Sequence, residues 1–311
     1  MNDFPPLAHA PGAREGTGRT SFVLDTDIGS DVDDLLALAM TLGSPELDLT
    51  AVTTVYGDVE LRARITARAF AAAERRAPSI APGLRTPRSG REVWWPGHEG
   101  ETIEDLDRQT YRTRREAVAE LGDASTLAAI GPLTNVGAAV ETPGRSVERI
   151  VMMGGCFDGE RVEHNVRCDT AAAHAVLSSG IDLTVVGLEQ TERISLDEAD
   201  LARIGRNTTL GRLLDGEVRR FWRFVGRSRN TPHDALAVLV MARPDLFELR
   251  RGHVSLTGDG EQPGLTTFVA DDGGPHQIVT DYDLTAAHDE IVARIATACH
   301  GGRPDLRVAE R

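Results

Sequence analysis

Between Phe22 and Asp34 the chain reads FVLDTDIGSDVDD, which places Asp25, Asp27, Asp31, Asp33 and Asp34 within ten residues at the end of a short apolar run. Carboxylates this dense repel one another, so several must hold a cation or share a proton for a fold to tolerate them. An all-oxygen donor set suits a hard divalent metal, Ca²⁺ or Mg²⁺. An EF-hand loop does not fit, because the spacing lacks a Glu at the twelfth position and a strand precedes the cluster. Capping a helix N-terminus needs one Asp, and five are present. A second polar pair, His233 and Asp234, stands at the start of an apolar helical run. Alone it reads as a cap beside a surface histidine. Together with the acidic strand end it offers a further oxygen ligand next to a proton donor.

The elements that must bring these groups together are legible as an alternation. Apolar, β-branched runs at Ser21–Asp25, Leu49–Val55, Thr126–Ile130, Arg149–Met153 and Leu183–Gly187 are interleaved with helical patterns at Asp33–Leu42, Leu61–Arg75, Thr134–Val140 and from Thr170 to about Ser179. This is the pattern of βα units on an open, mostly parallel, Rossmann-like sheet surrounded by helices. Ligands of such sheets bind beyond the carboxyl ends of the strands. The acidic cluster, Tyr56-Gly57-Asp58, Ile130-Gly-Pro-Leu-Thr-Asn135 and the segment from Gly154 all fall there. The pattern is mainly helical from Ser195 to Met241. His253–Leu256, Thr266–Val269 and Gln277–Thr280 then read as a small antiparallel portion, followed by a closing helix from Thr285 to Ala298.

Composition narrows the partners. A net charge of −14 without basic clusters argues against nucleic acid or anionic membrane, and favours a small neutral substrate. Cys156, Cys168 and Cys299 have no paired spacing, so neither a disulfide framework nor a zinc site is expected, and a reducing cytoplasm fits. No apolar run reaches membrane-spanning length. The expected organisation is a disordered lead-in over residues 1–20, a single domain over 21–300 and a loose tail over 301–311.

Read together, Asp25-Thr-Asp-Ile-Gly29 with Asp33-Asp34, Ile130-Gly-Pro-Leu-Thr-Asn135, Met153-Gly-Gly155, Glu163-His-Asn165 and His233-Asp234 make the chain resemble the inosine–uridine-preferring nucleoside hydrolase family, in a subset with a lengthened acidic motif. The resemblance covers about Phe22 to Ala298. It implies a nucleoside hydrolase-like fold, hydrolysis of the N-glycosidic bond of a nucleoside to free base and ribose, and a homodimer or homotetramer. It further implies Ca²⁺ held by Asp27, Asp34, the Ile130 carbonyl and Asp234, with Asp27 also taking a proton from the attacking water. By the same resemblance Asp33 accepts from the sugar 2′-hydroxyl, Asn165 binds the 2′- and 3′-hydroxyls, Glu163 meets the 5′ end, and His233 and His98 lie near the leaving base. The chemistry is coherent: bond cleavage builds positive charge on the sugar and negative charge on the base, and carboxylates around the ribose suit an oxocarbenium-like cation.

The chain departs from the family pattern in three places. Asp31 is an additional carboxylate. Gly57-Asp58 replaces Gly-Asn, so Asp58 can accept from a sugar hydroxyl but cannot donate. The segment Cys156–Val162 lacks an asparagine for the 5′ end, which admits a modified sugar or a 5′-substituted nucleoside, with Arg161 and Arg167 near enough to meet a phosphate. Trp94 and Trp95 either stack on a base or anchor their loop. Glu163 and Asn165, read as an extended segment, point the same way. Two other functions compete. A Mg²⁺-dependent phosphohydrolase would call for a lysine, and the chain has none. A non-catalytic nucleoside or sugar binder would have little need of an activated water.

Overall fold

The computed structural model describes residues 18–257 and 263–301. The expected lead-in and tail therefore lie almost entirely outside the described residues. Six strands carry the first part of the fold: β1 (Thr20–Thr26), β2 (Leu47–Thr54), β3 (Ser79–Pro82), β4 (Thr126–Ala129), β5 (Arg149–Met153) and β6 (Asp182–Val186). Three more follow late in the chain, β7 (Phe247–Leu256), β8 (Thr266–Ala270) and β9 (His276–Tyr282). They form one nine-stranded sheet in the order β3-β2-β1-β4-β5-β6-β9-β7-β8. Pairing is parallel from β3 through β9, and β7 runs antiparallel to both β9 and β8. This is the mostly parallel sheet with an antiparallel end that the hydrophobic pattern predicts.

The helices are α1 (Asp33–Leu42), α2 (Val59–Ala72), α3 (Ala117–Gly122), α4 (Thr134–Val140), α5 (His164–Cys168), α6 (Thr170–Leu177), α7 (Leu188–Thr191), α8 (Glu198–Ile204), α9 (Thr209–Val225), α10 (His233–Ala242) and α11 (Leu284–Cys299). Their depth follows from composition. In α1 and α10 apolar residues run around the whole circumference, and both helices are buried along nearly their full length. Helix α9 is amphipathic and lays Leu210, Leu214, Val218 and Trp222 against the core. No helix among the described residues is long and apolar enough to cross a membrane.

Strand order sets the place of the site. The chain steps outward from β1 to β2 and β3, then returns to the other side of β1 with β4. The β1/β4 boundary is thus a topological switch point, where the loops leaving two neighbouring strands diverge and open a crevice. Asp27 follows β1 and Ile130 follows β4.

Beneath the crevice, Asp25 does not join the other carboxylates. It is buried and accepts from Thr53 Oγ1 at 2.5 Å and Asn135 Nδ2 at 2.8 Å. Asn135 also donates to the Thr54 carbonyl at 3.1 Å and accepts from the Leu84 amide at 2.8 Å, so one side chain ties β1, β2 and the segment after β3 to α4. Replacing it strands several buried polar groups at once. Asn135→Ala is expected to lower unfolding free energy by about 3 kcal/mol, as measured by urea denaturation. A loss below about 1 kcal/mol would show that the network does not carry this region.

Candidate active site

A cavity of about 390 Å³ opens at the switch point and is lined by Asp27, Asp31, Asp33, Asp34, Ile130, Glu163, Asn165, His233 and Asp234, with an apolar wall that includes Trp94, Leu188, Phe221 and Phe224. Its most acidic part is assembled from two helix starts. Asp33 and Asp34 lie in the first turn of α1 and Asp234 in the first turn of α10, and carboxylate oxygens of these three buried residues lie within 4.8 Å of one another. Residues two hundred positions apart in the sequence thus share one point. Unpaired amides and the helix dipole at each N-terminus favour anions there. Asp27 belongs to the same cavity but stands outside this trio.

The acidic loop is held from behind by two buried arginines. Arg62 of α2 is fully buried and donates to the carbonyls of Asp27 and of Ile28, the latter at 2.9 Å, to the Tyr56 carbonyl at 2.7 Å and to Ser30 Oγ at 3.2 Å. Its Nη2 stands 3.9 Å from Asp27 Oδ2, and Trp95 packs over its guanidinium at 4.9 Å. Arg220 of α9 donates to the Gly29 carbonyl at 3.1 Å and pairs with Glu217 at 3.0 Å. Ser30 donates to Glu99 at 2.9 Å, and Thr26 Oγ1 donates to Asp34 Oδ1. On the far side Gly131 approaches so closely that a Cβ there would fall 2.7 Å from Asp27 Oδ1.

Burial is the first cause of the unusual acidities. It raises Asp27 above the ordinary carboxylate range, opposed by Arg62 and His164. Burial and then the neighbouring carboxylates push Asp33 and Asp234 well above it, and burial followed by Asp27 does the same for Asp34. Asp31 and Glu163 rise to about 7, again through burial first. Glu163 accepts from the amides of Asn165 at 2.7 Å, Val166 at 2.9 Å and Gly155 at 3.2 Å. Burial also pushes His233 down to about 4, so its imidazole is neutral at neutral pH, in contrast to the proton donor anticipated beside the base. Its Nδ1 is 2.7 Å from Thr191 Oγ1.

Several expectations are revised by the geometry. Glu163 and Asn165 are not on an extended segment: Glu163 caps α5 and Asn165 lies in its first turn, because the Glu163 carboxylate satisfies the amides that open that helix. Asn165 still faces the cavity, with Nδ2 donating to the Ile130 carbonyl at 3.1 Å and the Met153 carbonyl at 3.4 Å. Asp58 does not line the cavity. It caps α2 through the Leu61 amide at 3.1 Å and lies 3.7 Å from Arg85. His98 does not line it either, with Nε2 2.8 Å from the Ser30 carbonyl and its ring edge-on to Phe224 at 4.3 Å. Arg161 is committed to Asp158 and Glu192, both at 2.7 Å, while Arg167 lines the cavity. The two tryptophans divide: Trp95 anchors on Arg62, and Trp94 is exposed at the cavity, edge-on to His164.

The sequence matches the profile of the family described as inosine-uridine preferring nucleoside hydrolase over residues 22–298. The chain belongs to that family. It is therefore an enzyme of the nucleoside N-ribohydrolase class, glycosidases that hydrolyse the N-glycosidic bond of nucleosides. Among relatives, a non-specific ribonucleoside hydrolase RihC from Escherichia coli strain SMS-3-5 is 31% identical over 307 residues, covering 90% of this chain and 99% of its own. A protein of the same name from Escherichia fergusonii is 30% identical, covering 82% and 90%. Among solved structures, a plant nucleoside hydrolase, PpNRh1, superposes with a TM-score of 0.76 at 25% identity, covering 89% of this chain and 98% of its own. A purine-preferring ribonucleoside hydrolase from Gardnerella vaginalis shares the fold with a TM-score of 0.79 at 22% identity, covering 90% and 99%.

Within this nucleoside hydrolase, the residues that sequence reasoning left without a role are the supports: Arg62, Arg220, Glu99, Thr26 and His164. Arginine and glutamate in amphipathic helices and loops look like ordinary surface residues, and nothing local marks Arg62 as buried. The exception is Gly131, whose place in the Ile130-Gly-Pro motif is explained by its closeness to Asp27.

These acidities predict a pH response. A carboxylate whose folded pKa lies above its unfolded value stabilises the fold at low pH and loses that contribution as pH rises through the folded pKa. Asp25, Asp31 and Glu163, all at about 7, and the four further raised carboxylates of the cavity act in this sense. His164, His233 and His276, lowered by burial, act oppositely below their ordinary value, and are fewer. EDTA-treated protein is expected to gain thermal stability when pH falls from about 7 to about 5, and added Ca²⁺ to flatten that slope. Thermal melts showing the opposite slope without metal would contradict the burial-raised acidities.

Proposed function

We propose that this protein is a calcium-dependent nucleoside N-ribohydrolase that releases free base and ribose, or a modified ribose. The observation that carries the reading is the convergence of the buried Asp33, Asp34 and Asp234 within 4.8 Å in a cavity that also holds Asp27 and Ile130. An all-oxygen, multiply anionic donor set with few compensating cations fits a hard divalent ion. Asp27, Asp34, Asp234 and the Ile130 carbonyl would hold it, with Asp33 beside them. When bound, calcium supplies the charge that acidifies water and grips the sugar diol.

The chain's own groups perform the rest. Asp27 takes the proton of the attacking water, a role that suits a carboxylate held above its ordinary acidity by burial and kept in place by Arg62. Asp33 accepts from the 2′-hydroxyl. With Asn165 Nδ2 engaged by two carbonyls, its Oδ1 is the atom that accepts from the ribose. Glu163, fixed by three amides, flanks the 5′ end. Ringed by carboxylates, the sugar can develop cationic character as the bond to the base lengthens. His233, neutral and tied to Thr191, offers the departing base a hydrogen bond without a standing positive charge. The apolar wall of Trp94, Phe221 and Phe224 offers the base an apolar face to pack against. The oligomer we propose is a homodimer or homotetramer.

Base release from a panel of nucleosides is expected to require metal: EDTA abolishes it and Ca²⁺ restores it more fully than Mg²⁺. Metal-independent turnover would exclude the reading. Asp27→Ala is expected to lower kcat/KM by about 10³-fold or more while the protein stays folded. Retention of more than about a tenth of wild-type rate would remove Asp27 from the proton transfer. Asp234→Asn is expected to abolish both turnover and the Ca²⁺-induced rise in Tm, and a variant that still responds to Ca²⁺ would place the ion elsewhere.

A further inference from the structure

At the opposite end of the sheet, by the amino ends of β1, β2 and β3, lies a second cleft of about 600 Å³. Five of its fifteen lining residues are arginines, Arg19, Arg75, Arg76, Arg112 and Arg114, and Asp48 is the one acid among them. In a chain of net charge −14 this reverses the prevailing sign. The clustering joins three separate stretches: the residue before β1, the turn from α2 into β3, and the segment leading to α3. Three of the five, Arg19, Arg75 and Arg114, are engaged. Arg19 lies 4.0 Å from Asp48, both half-exposed, and Arg114 pairs with Glu120. Arg76 and Arg112 are exposed and have no carboxylate partner among the described residues.

The cleft is more than a charged surface. Leu42, Leu49 and Phe70 give it an apolar floor, and its volume matches a nucleotide-sized ligand. Guanidinium groups present a planar fork that engages phosphate oxygens in pairs, which suits them to a phosphate more than to a diffuse anion. Duplex nucleic acid and anionic membranes reward an extended basic stripe, and the strongly acidic remainder of this protein would repel both. A strand of seven residues separates the cleft from the carboxyl-end cavity, a span of about 20 Å, so one small ligand cannot occupy both.

We propose that this cleft binds a phosphate-bearing small molecule of nucleotide size, with Arg76 and Arg112 contacting the phosphates and Arg19, Arg75 and Arg114 supplying the surrounding positive field. The site is separate from the hydrolytic cavity and does not depend on the reaction assigned to it.

Isothermal titration of the full chain with ADP and with pyrophosphate at low salt tests this, in wild type, in Arg76→Glu/Arg112→Glu and in Asp234→Asn. Binding with Kd at or below about 1 mM is expected in wild type and Asp234→Asn, and weakening of about tenfold or more in the arginine double variant. Nucleoside hydrolysis by the double variant should stay within about twofold of wild type, and added salt should weaken the binding. ADP binding more tightly than pyrophosphate assigns a nucleotide, and equal affinity assigns a free polyphosphate. Arg76→Gln/Arg112→Gln replaces the double variant if circular dichroism shows that charge reversal unfolds it. Absence of binding by both probes, unchanged affinity in the arginine variant, or loss in Asp234→Asn alone would overturn the proposal. So would retention on heparin without binding of either probe.

Discussion

The constraint on which the rest depends is the placing of six carboxylates, from Asp27, Asp31, Asp33, Asp34, Glu163 and Asp234, against one cavity. Repulsion of that size is tolerable only if the fold supplies positive potential without filling the space where a ligand must sit. The protein does so in two ways. Helices α1 and α10 aim their N-termini at the cluster, so backbone amides do part of the neutralising. Arg62 and Arg220 act from behind the loop, with three hydrogen bonds going to carbonyls of residues 27–29 and none to the cavity carboxylates themselves. The charges therefore stay short of partners on the cavity side, which is where a divalent cation and a developing oxocarbenium ion would complete the balance.

The sheet topology and the acidity are parts of one arrangement. Because β1 and β4 are neighbours whose following segments diverge, Asp27 and the Ile130 carbonyl can flank a gap that a continuous connection would close. Gly131 keeps that gap narrow by permitting backbone to lie against Asp27. Asn165 ties the rim together through the Ile130 and Met153 carbonyls, joining the ends of β4 and β5. The acidic side chains and Asn165 are thus carried by strand ends, the turn after β1 or helix starts, while the apolar wall comes from the loop of Trp94 and the end of α9.

Much of this was legible from residue order. Alternating apolar runs report burial directly, so β1, β2, β4, β5 and β6 and their helices were predictable, and α1 and α4 have the boundaries expected. Short elements escaped for want of a period: β3 spans four residues ending in a proline, and α5 spans five and owes its first turn to the Glu163 cap. That Asp33, Asp34 and Asp234 share a cavity was legible through motif resemblance. That Asp58 and His98 stand outside the cavity lining was not, because each has another partner, a helix amide for one and the Ser30 carbonyl for the other, that no pattern of residue types reveals. The role of Arg62 was equally hidden, since its neighbours in α2 give it the look of a solvated face.

Arg62 couples two parts of the molecule that would otherwise be judged separately. Its guanidinium stitches α2 to the turn after β1 through the carbonyls of Asp27 and Ile28, with Tyr56 and Ser30 on either side. The turn after β1 is thus held jointly by α2 through Arg62, by α9 through Arg220 and by the loop carrying His98 and Glu99. A fault in the docking of α2 would therefore be felt at Asp27 itself, because one buried guanidinium carries both the helix packing and the loop carbonyls.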